Sequence, residues 1–140
     1  MVTVGCAVLD PTSRTAYCRP DDPVVTPQSV APGAELNLAV AGDVDGVDCE
    51  SRMPARARYE VWITSDTSAE DPDDGLYSAS LGLLDPGSDG DAEGTVRLPD
   101  EVPLGRAEVS VNLVGADTVC DIDPTIGCAK DPFVAIEIVA

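Results

Sequence analysis

Five cysteines have the most distinctive chemistry in this chain: Cys6, Cys18, Cys49, Cys120 and Cys128. None of them forms the closely spaced C-x-x-C pair that most zinc sites use, and the sequence has no His to complete such a site. Disulfides are the simpler interpretation, and they imply an oxidising compartment. We expect Cys120 to pair with Cys128 across a short loop and Cys18 to pair with Cys49, although other pairings of these four are open.

The remaining cysteine, Cys6, follows a Thr-Val-Gly segment that resembles the end of a bacterial lipobox, where a small residue precedes a lipidated cysteine. Thr3 stands where Leu is preferred, so the match is partial. A lipid on Cys6 would explain the odd number of cysteines and would be the chain's one link to a membrane. The alternatives are that Cys6 lies on a first strand within residues 2–8 or pairs with Cys18.

Clustered carboxylates are the second group that could do chemistry. Asp43, Asp45 and Asp48 place oxygen ligands beside a glycine, as loops that bind hard cations such as Ca²⁺ do. The pattern lacks the further ligands of an EF-hand, and Asp is also common in ordinary solvated turns. Calcium binding by this loop is therefore a hypothesis beside the simpler interpretation as a turn, and the sequence indicates no other cofactor.

The charge and the absence of His exclude several classes of function. The chain has 8 Lys and Arg against 26 Asp and Glu, a formal charge of -18, which repels nucleic acid and anionic lipid. Without His, the usual general base at neutral pH is missing, and Ser-His and Cys-His mechanisms with it. We therefore predict a protein that is not an enzyme and does not bind nucleic acid.

Alternating polar and apolar residues predict strands as the elements that position these groups. In Arg58–Thr64, the residues Tyr59, Val61 and Ile63 share one face and Trp62 lies on the other, where it is a candidate binding-surface aromatic. Residues 35–40, 76–84, 94–98, 106–114 and 133–139 are the other predicted strands. With 12 Gly and 12 Pro to supply turns, this pattern predicts an all-β antiparallel β-sandwich of about seven strands.

Residues 1–23 and residues 24–140 differ in character. The first segment is interrupted by proline and aspartate, and we interpret it as an extended lead-in or lipoprotein tether. The second contains all the alternating segments and forms the predicted sandwich domain. At this length one domain with its own core is expected.

Three segments resemble the Ig-like domains of actinobacterial secreted proteins and lipoproteins. Residues 26–38 are similar to the sequence motif at the start of those domains, and residues 89–99 are similar to one of their hairpins. Residues 103–109 are similar to a strand entry, with Ala107 in place of the usual aromatic. The resemblance extends over about two-thirds of the chain and implies an immunoglobulin-like fold and an extracellular or cell-surface location, with no active site.

The function predicted from these observations is a non-catalytic interaction or structural module of an actinobacterial Gram-positive envelope. It would bind a protein partner and be monomeric in isolation. The alternative is a calcium-dependent adhesion or carbohydrate-binding module, for which the Asp43 loop would hold the cation and Trp62 would contact the glycan.

Overall fold

The computed structural model describes residues 15–43, 49–65, 77–123, 125, 127 and 130–140. Eight strands and one short helix are present in this part of the chain, against about seven strands predicted. The strands are β1 (Val24–Thr26), β2 (Ser29–Val30), β3 (Glu35–Val40), β4 (Arg58–Ser65), β5 (Ser78–Leu84), β6 (Ala92–Arg97), β7 (Gly105–Val114) and β8 (Phe133–Ile138), and the helix is α1 (Val119–Ile122). The prediction of an all-β protein is confirmed.

The strands form two sheets, with the order β1-β3-β6 in one and β2-β8-β7-β4-β5 in the other. All neighbours are antiparallel except β2 and β8, which pair in parallel. Antiparallel pairing was expected from the alternation, and the parallel pair is the exception. It arises because residues 24–30 contribute β1 to one sheet and β2 to the other.

The predicted inward faces are the buried ones. On β4, Tyr59, Val61 and Ile63 are fully buried while the residues between them are half-buried. The same alternation buries Leu36 and Leu38 on β3, because successive side chains of a strand point to opposite sides. Inward side chains from both sheets form one hydrophobic core, so the two sheets pack face to face.

One helical turn interrupts the region between β7 and β8, where the sequence indicates only a loop. Thr118 precedes α1, and the Asp121 carboxylate accepts hydrogen bonds from the Thr118 backbone N–H (2.8 Å) and hydroxyl (3.0 Å). This reciprocal cap satisfies a free backbone N–H at the start of the turn. No helix in the described part of the chain is both long and apolar enough to span a bilayer.

Residues 15–23, predicted as part of a lead-in, pack along the two sheets. The Tyr17 backbone bridges to Glu50, and Cys18 is buried. Arg19 forms a 3.0 Å ion pair with Asp131, and the Asp22 carboxylate accepts a hydrogen bond from the Phe133 backbone N–H at 3.1 Å. These contacts fix the lead-in against the segment that enters β8.

Candidate functional site

The outer face of the five-stranded sheet has the outward-facing aromatic that the sequence predicts. Trp62 lies on the outward side of β4, half-buried, directly opposite Ser80 on β5 and Ser110 on β7. Both neighbours are small, so the indole is flanked in its cross-strand row by hydroxyls rather than by bulky side chains. An aromatic in this position can offer apolar contact area to a ligand while the serines form hydrogen bonds.

A second aromatic lies in the same row. Phe133 on β8 is opposite Ser110, so the two rings are separated by two strand spacings, about 10 Å. The ammonium of Lys130 lies 3.9 Å from the centre of the Phe133 ring, a cation–π contact. Lys130 also forms a 2.7 Å ion pair with Glu108, to which Arg106 is bonded at 3.4 Å. No local pattern in the sequence indicates this cluster, because the pairing of β7 with β8 brings its members together.

The charges on this face are nearly balanced, unlike those of the whole chain. Among the described residues on or paired with it, the acidic groups are Glu60, Asp85, Glu108 and Glu137, and the basic groups are Arg58, Arg106 and Lys130. The formal charge of -18 is therefore carried mostly by other groups of the molecule. A balanced face is the part of such a protein that another macromolecule can approach with the least electrostatic repulsion.

The polar groups around Trp62 are held by cross-strand contacts. The Ser80 hydroxyl donates to the Glu60 carboxylate at 3.1 Å, and the Thr64 and Ser78 hydroxyls lie 3.3 Å apart. These pairs join β4 to β5 on either side of the indole. Together with the aromatic row they define the Trp62 face, which consists of the outward side chains of β4, β5, β7 and β8 around Trp62.

The pairing of Cys18 with Cys49 is confirmed, with an S–S distance of 2.01 Å. The bond joins the lead-in to the loop after β3. Cys120 is also disulfide-bonded, and the Thr118 hydroxyl lies 3.3 Å from its sulfur. Cys128, its predicted partner, and Cys6, the predicted lipidation site, lie outside the described residues.

Asp43, the first ligand of the predicted calcium loop, lies beside this disulfide. One of its carboxylate oxygens and the sulfurs of Cys18 and Cys49 are within 4.8 Å of one another. A cysteine binds a metal ion as its thiolate, and these two sulfurs are bonded to each other. This group therefore does not form a thiolate metal site in the oxidised protein. Asp45 and Asp48 lie outside the described residues, and calcium binding stays a prediction.

Another acidic turn, at residues 89–91, has a structural role. The Tyr59 hydroxyl donates to the Gly90 carbonyl at 2.6 Å, and the Asp91 carboxylate accepts from the Gly42 backbone N–H at 2.8 Å. Burial of Tyr59, and then the charges of Asp91 and Asp89, raise the pKa of its hydroxyl to about 12. Tyr59 is therefore a neutral phenol at physiological pH, and its hydrogen bond to the Gly90 carbonyl links the turn to the core.

Comparison with known proteins gives no relative from which a function could be transferred. No protein-family model matches the chain, and no curated protein or solved structure matches it.

Proposed function

We propose that this chain is an immunoglobulin-like β-sandwich module of a cell envelope that binds a protein partner and has no catalytic activity. The strand arrangement supports the fold assignment. Strands β3 and β6 share one sheet while β4, β7 and β8 share the other, as strands B and E and strands C, F and G do in immunoglobulin-type sandwiches.

The disulfide between Cys18 and Cys49 supports an extracellular or cell-surface location, because such bonds persist in oxidising compartments. A Gram-positive actinobacterial lipoprotein anchored through Cys6 is the form of this proposal that the sequence favours. Mass spectrometry of the protein from its native host tests it, since a diacylglycerol on Cys6 adds a defined mass to the first peptide.

The observation that carries the binding function is the Trp62 face. A half-buried Trp and a second aromatic lie on a nearly charge-balanced sheet surface of a strongly acidic domain. Protein interfaces are enriched in Trp and Arg and depleted in charged residues at their centres, and the residues directly opposite Trp62 are the uncharged Ser80 and Ser110. A partner with a flat apolar patch bordered by polar groups fits this surface.

Site-specific photo-cross-linking tests the proposal. A photoreactive amino acid replaces Ser110, which lies between Trp62 and Phe133, in protein displayed on its native envelope. The matched control carries the same amino acid at Thr95, on the outer face of the three-stranded sheet.

A discrete cross-linked protein from position 110, absent at position 95 and lost on Trp62→Ala, is the expected result. Equal products from both positions, or no product from either, would contradict binding through the Trp62 face.

A second candidate, glycan binding, is favoured by the surroundings of Trp62. Hydroxyls of Ser80 and Ser110 and the carboxylate of Glu60 surround the indole, and these groups can bond sugar hydroxyls while the ring stacks on a sugar face. Trp62 is the only Trp of the chain, so its fluorescence reports this site directly. A saturable change on titration with cell-wall oligosaccharides, with and without millimolar calcium, would favour this candidate over a protein partner.

A further inference from the structure

The free edge of β5 borders the Trp62 face and differs from the other sheet edges. Strand β5 is the terminal strand of the five-stranded sheet and, among the described residues, pairs only with β4. In an antiparallel edge strand, every second residue directs its backbone N–H and C=O away from the neighbouring strand. These groups form a row to which another extended chain can bond.

The other three edge strands described are protected in the usual ways. Strand β1 has three residues between Pro23 and Pro27, and β2 has only two residues. Strand β6 carries charges at Glu93 and Arg97. Short length, proline and charge each discourage the addition of a further strand. Strand β5 has seven residues, with neither charge nor proline among them, and its one protective feature is the bulge at Leu81.

The outer side of β5 carries one exposed apolar side chain beside two serines, Ser78 and Ser80. That side chain is Leu83, which is 59% exposed. Leu83 lies opposite Glu60 on the outward side of the sheet, so it belongs to the Trp62 face. An added strand could cover Leu83 while bonding to the free edge.

The charge of the whole chain selects the occupant. The chain has a formal charge of -18, and Glu60 opposite Leu83 and Asp85 directly after β5 are acidic. A second copy of the chain would bring two strongly acidic molecules together and would be repelled. A segment with basic residues on either side of its extended part would be attracted.

We propose that the β5 edge binds an extended segment of the protein partner, with alternating apolar side chains and Lys or Arg at its flanks, as an added strand of the five-stranded sheet. This inference rests on the proposed function and names its binding mode. The added strand would form main-chain hydrogen bonds to β5, and every second side chain of the segment would contact Leu83 and the Trp62 face.

A synthetic peptide of alternating valine and threonine with two lysines at each end tests the proposal on the full chain. Its controls are the same peptide with glutamate ends and one with proline at its centre. Binding is followed by NMR shifts and hydrogen exchange of the β5 amides and by Trp62 fluorescence. We expect the lysine-flanked peptide to slow exchange in β5, to bind at least about tenfold more tightly than either control, and to weaken with added salt.

Variants of the chain locate the contact. Leu83→Ser should weaken binding of the lysine-flanked peptide by about fivefold or more, because it removes the exposed apolar side chain beside the edge. Leu104→Ser, a matched change at a residue 52% exposed outside β5, should leave binding unchanged. Both residues are at the surface, so the fold should tolerate either change.

Several results would overturn the inference. Absence of peptide binding, equal binding of the glutamate-flanked peptide, or shifts that avoid the β5 amides would each do so, as would self-association through β5 in sedimentation. If cross-linking from position 110 succeeds while Leu83→Ser leaves the partner's affinity intact, this inference fails and the proposed function stands. If β5 binds the peptide but position 110 captures no partner, the proposed function fails instead.

Discussion

The outer faces of the two sheets differ much more than their inner faces do. Inside, both sheets present buried aliphatic side chains, such as Leu36 on β3 and Ile63 on β4. Outside, the three-stranded sheet presents charged and small polar groups with one exposed aliphatic side chain, Val24, and includes a 2.8 Å hydrogen bond from Thr95 to Asn37. The five-stranded sheet presents Trp62 instead. Folding constrains the inner faces equally, and this difference outside is the reason why we propose recognition through the five-stranded sheet.

Truncation of the core should remove the largest amount of stability, and it should do so equally from either sheet. Leu36→Ala and Ile63→Ala each delete side-chain atoms that are completely buried in the shared core. We expect each to lower the free energy of unfolding by about 3–4 kcal/mol. Chemical denaturation under oxidising conditions measures both, and a large loss for one sheet alone would mean that the two do not share a core.

Removal of the Cys18–Cys49 bond should cost a similar amount of stability and should act locally on hydrogen exchange. The bond closes a loop with a sequence separation of 31, so its loss should destabilise the protein by about 3.5 kcal/mol. In the double variant Cys18→Ser, Cys49→Ser, hydrogen exchange should quicken in residues 15–23 before it does in β4 and β7. Uniform quickening across both sheets would mean that the lead-in supports the whole fold.

Tyr59→Phe should cost about 1–2 kcal/mol at neutral pH, because it leaves the buried Gly90 carbonyl without its hydrogen bond. The wild-type protein should also lose stability above pH 10.

The reason is the pKa of Tyr59. The unfolded chain releases the Tyr59 proton near the ordinary pKa of 10.0, whereas the folded protein holds it until about 12. The neutral phenol's full contribution is therefore present below pH 10.0 and falls by about 2–3 kcal/mol towards pH 12. Denaturation series at rising pH should be flatter for Tyr59→Phe, and identical slopes would contradict this.

Changes on the outer faces should affect stability least. Their effects on partner binding should differ between the two sheets. Trp62→Ala and Asn37→Ala should each change the free energy of unfolding by about 1 kcal/mol or less. Only Trp62→Ala should abolish capture of the partner in the cross-linking assay. Loss of capture with Asn37→Ala would mean that the partner binds the three-stranded sheet and would contradict binding through the Trp62 face.

The residue pattern in the sequence was enough to predict the buried and exposed faces of the main strands. The alternation in Arg58–Ser65 fixed which side chains are buried and that Trp62 points outward, because strand geometry has a period of two. The Cys18–Cys49 pair was also predicted correctly, since few cysteines compete for it. The strand faces depend on residue type and near spacing alone, and the cysteine pair depends on how few candidates the chain offers.

The remainder depends on contacts between distant parts of the chain, which no local pattern contains. Arg19 and Asp131 form their ion pair across 112 positions, and the Trp62 row is assembled from strands β5, β4, β7 and β8. The division of residues 24–30 between the two sheets likewise follows from pairing with β3 and β8. The structural role of the turn at residues 89–91 also depends on a distant residue, since the Tyr59 hydroxyl bonds the Gly90 carbonyl.

The register of β5 against β4 determines which deletions this strand can accept. Val61 is opposite Gly82 and Trp62 is opposite Ser80, so Leu81 has no partner across the ladder and is the inserted residue of a bulge. Deleting Leu81 would leave Ser80 and Leu83 outward and Leu84 inward, with every existing pair intact. Deleting Ala79 or Leu83 instead would shift the register of the residues on one side of the deletion by one. Their inward side chains would then point outward and their outward side chains inward. Among homologous sequences, a one-residue length difference in β5 should therefore fall at Leu81.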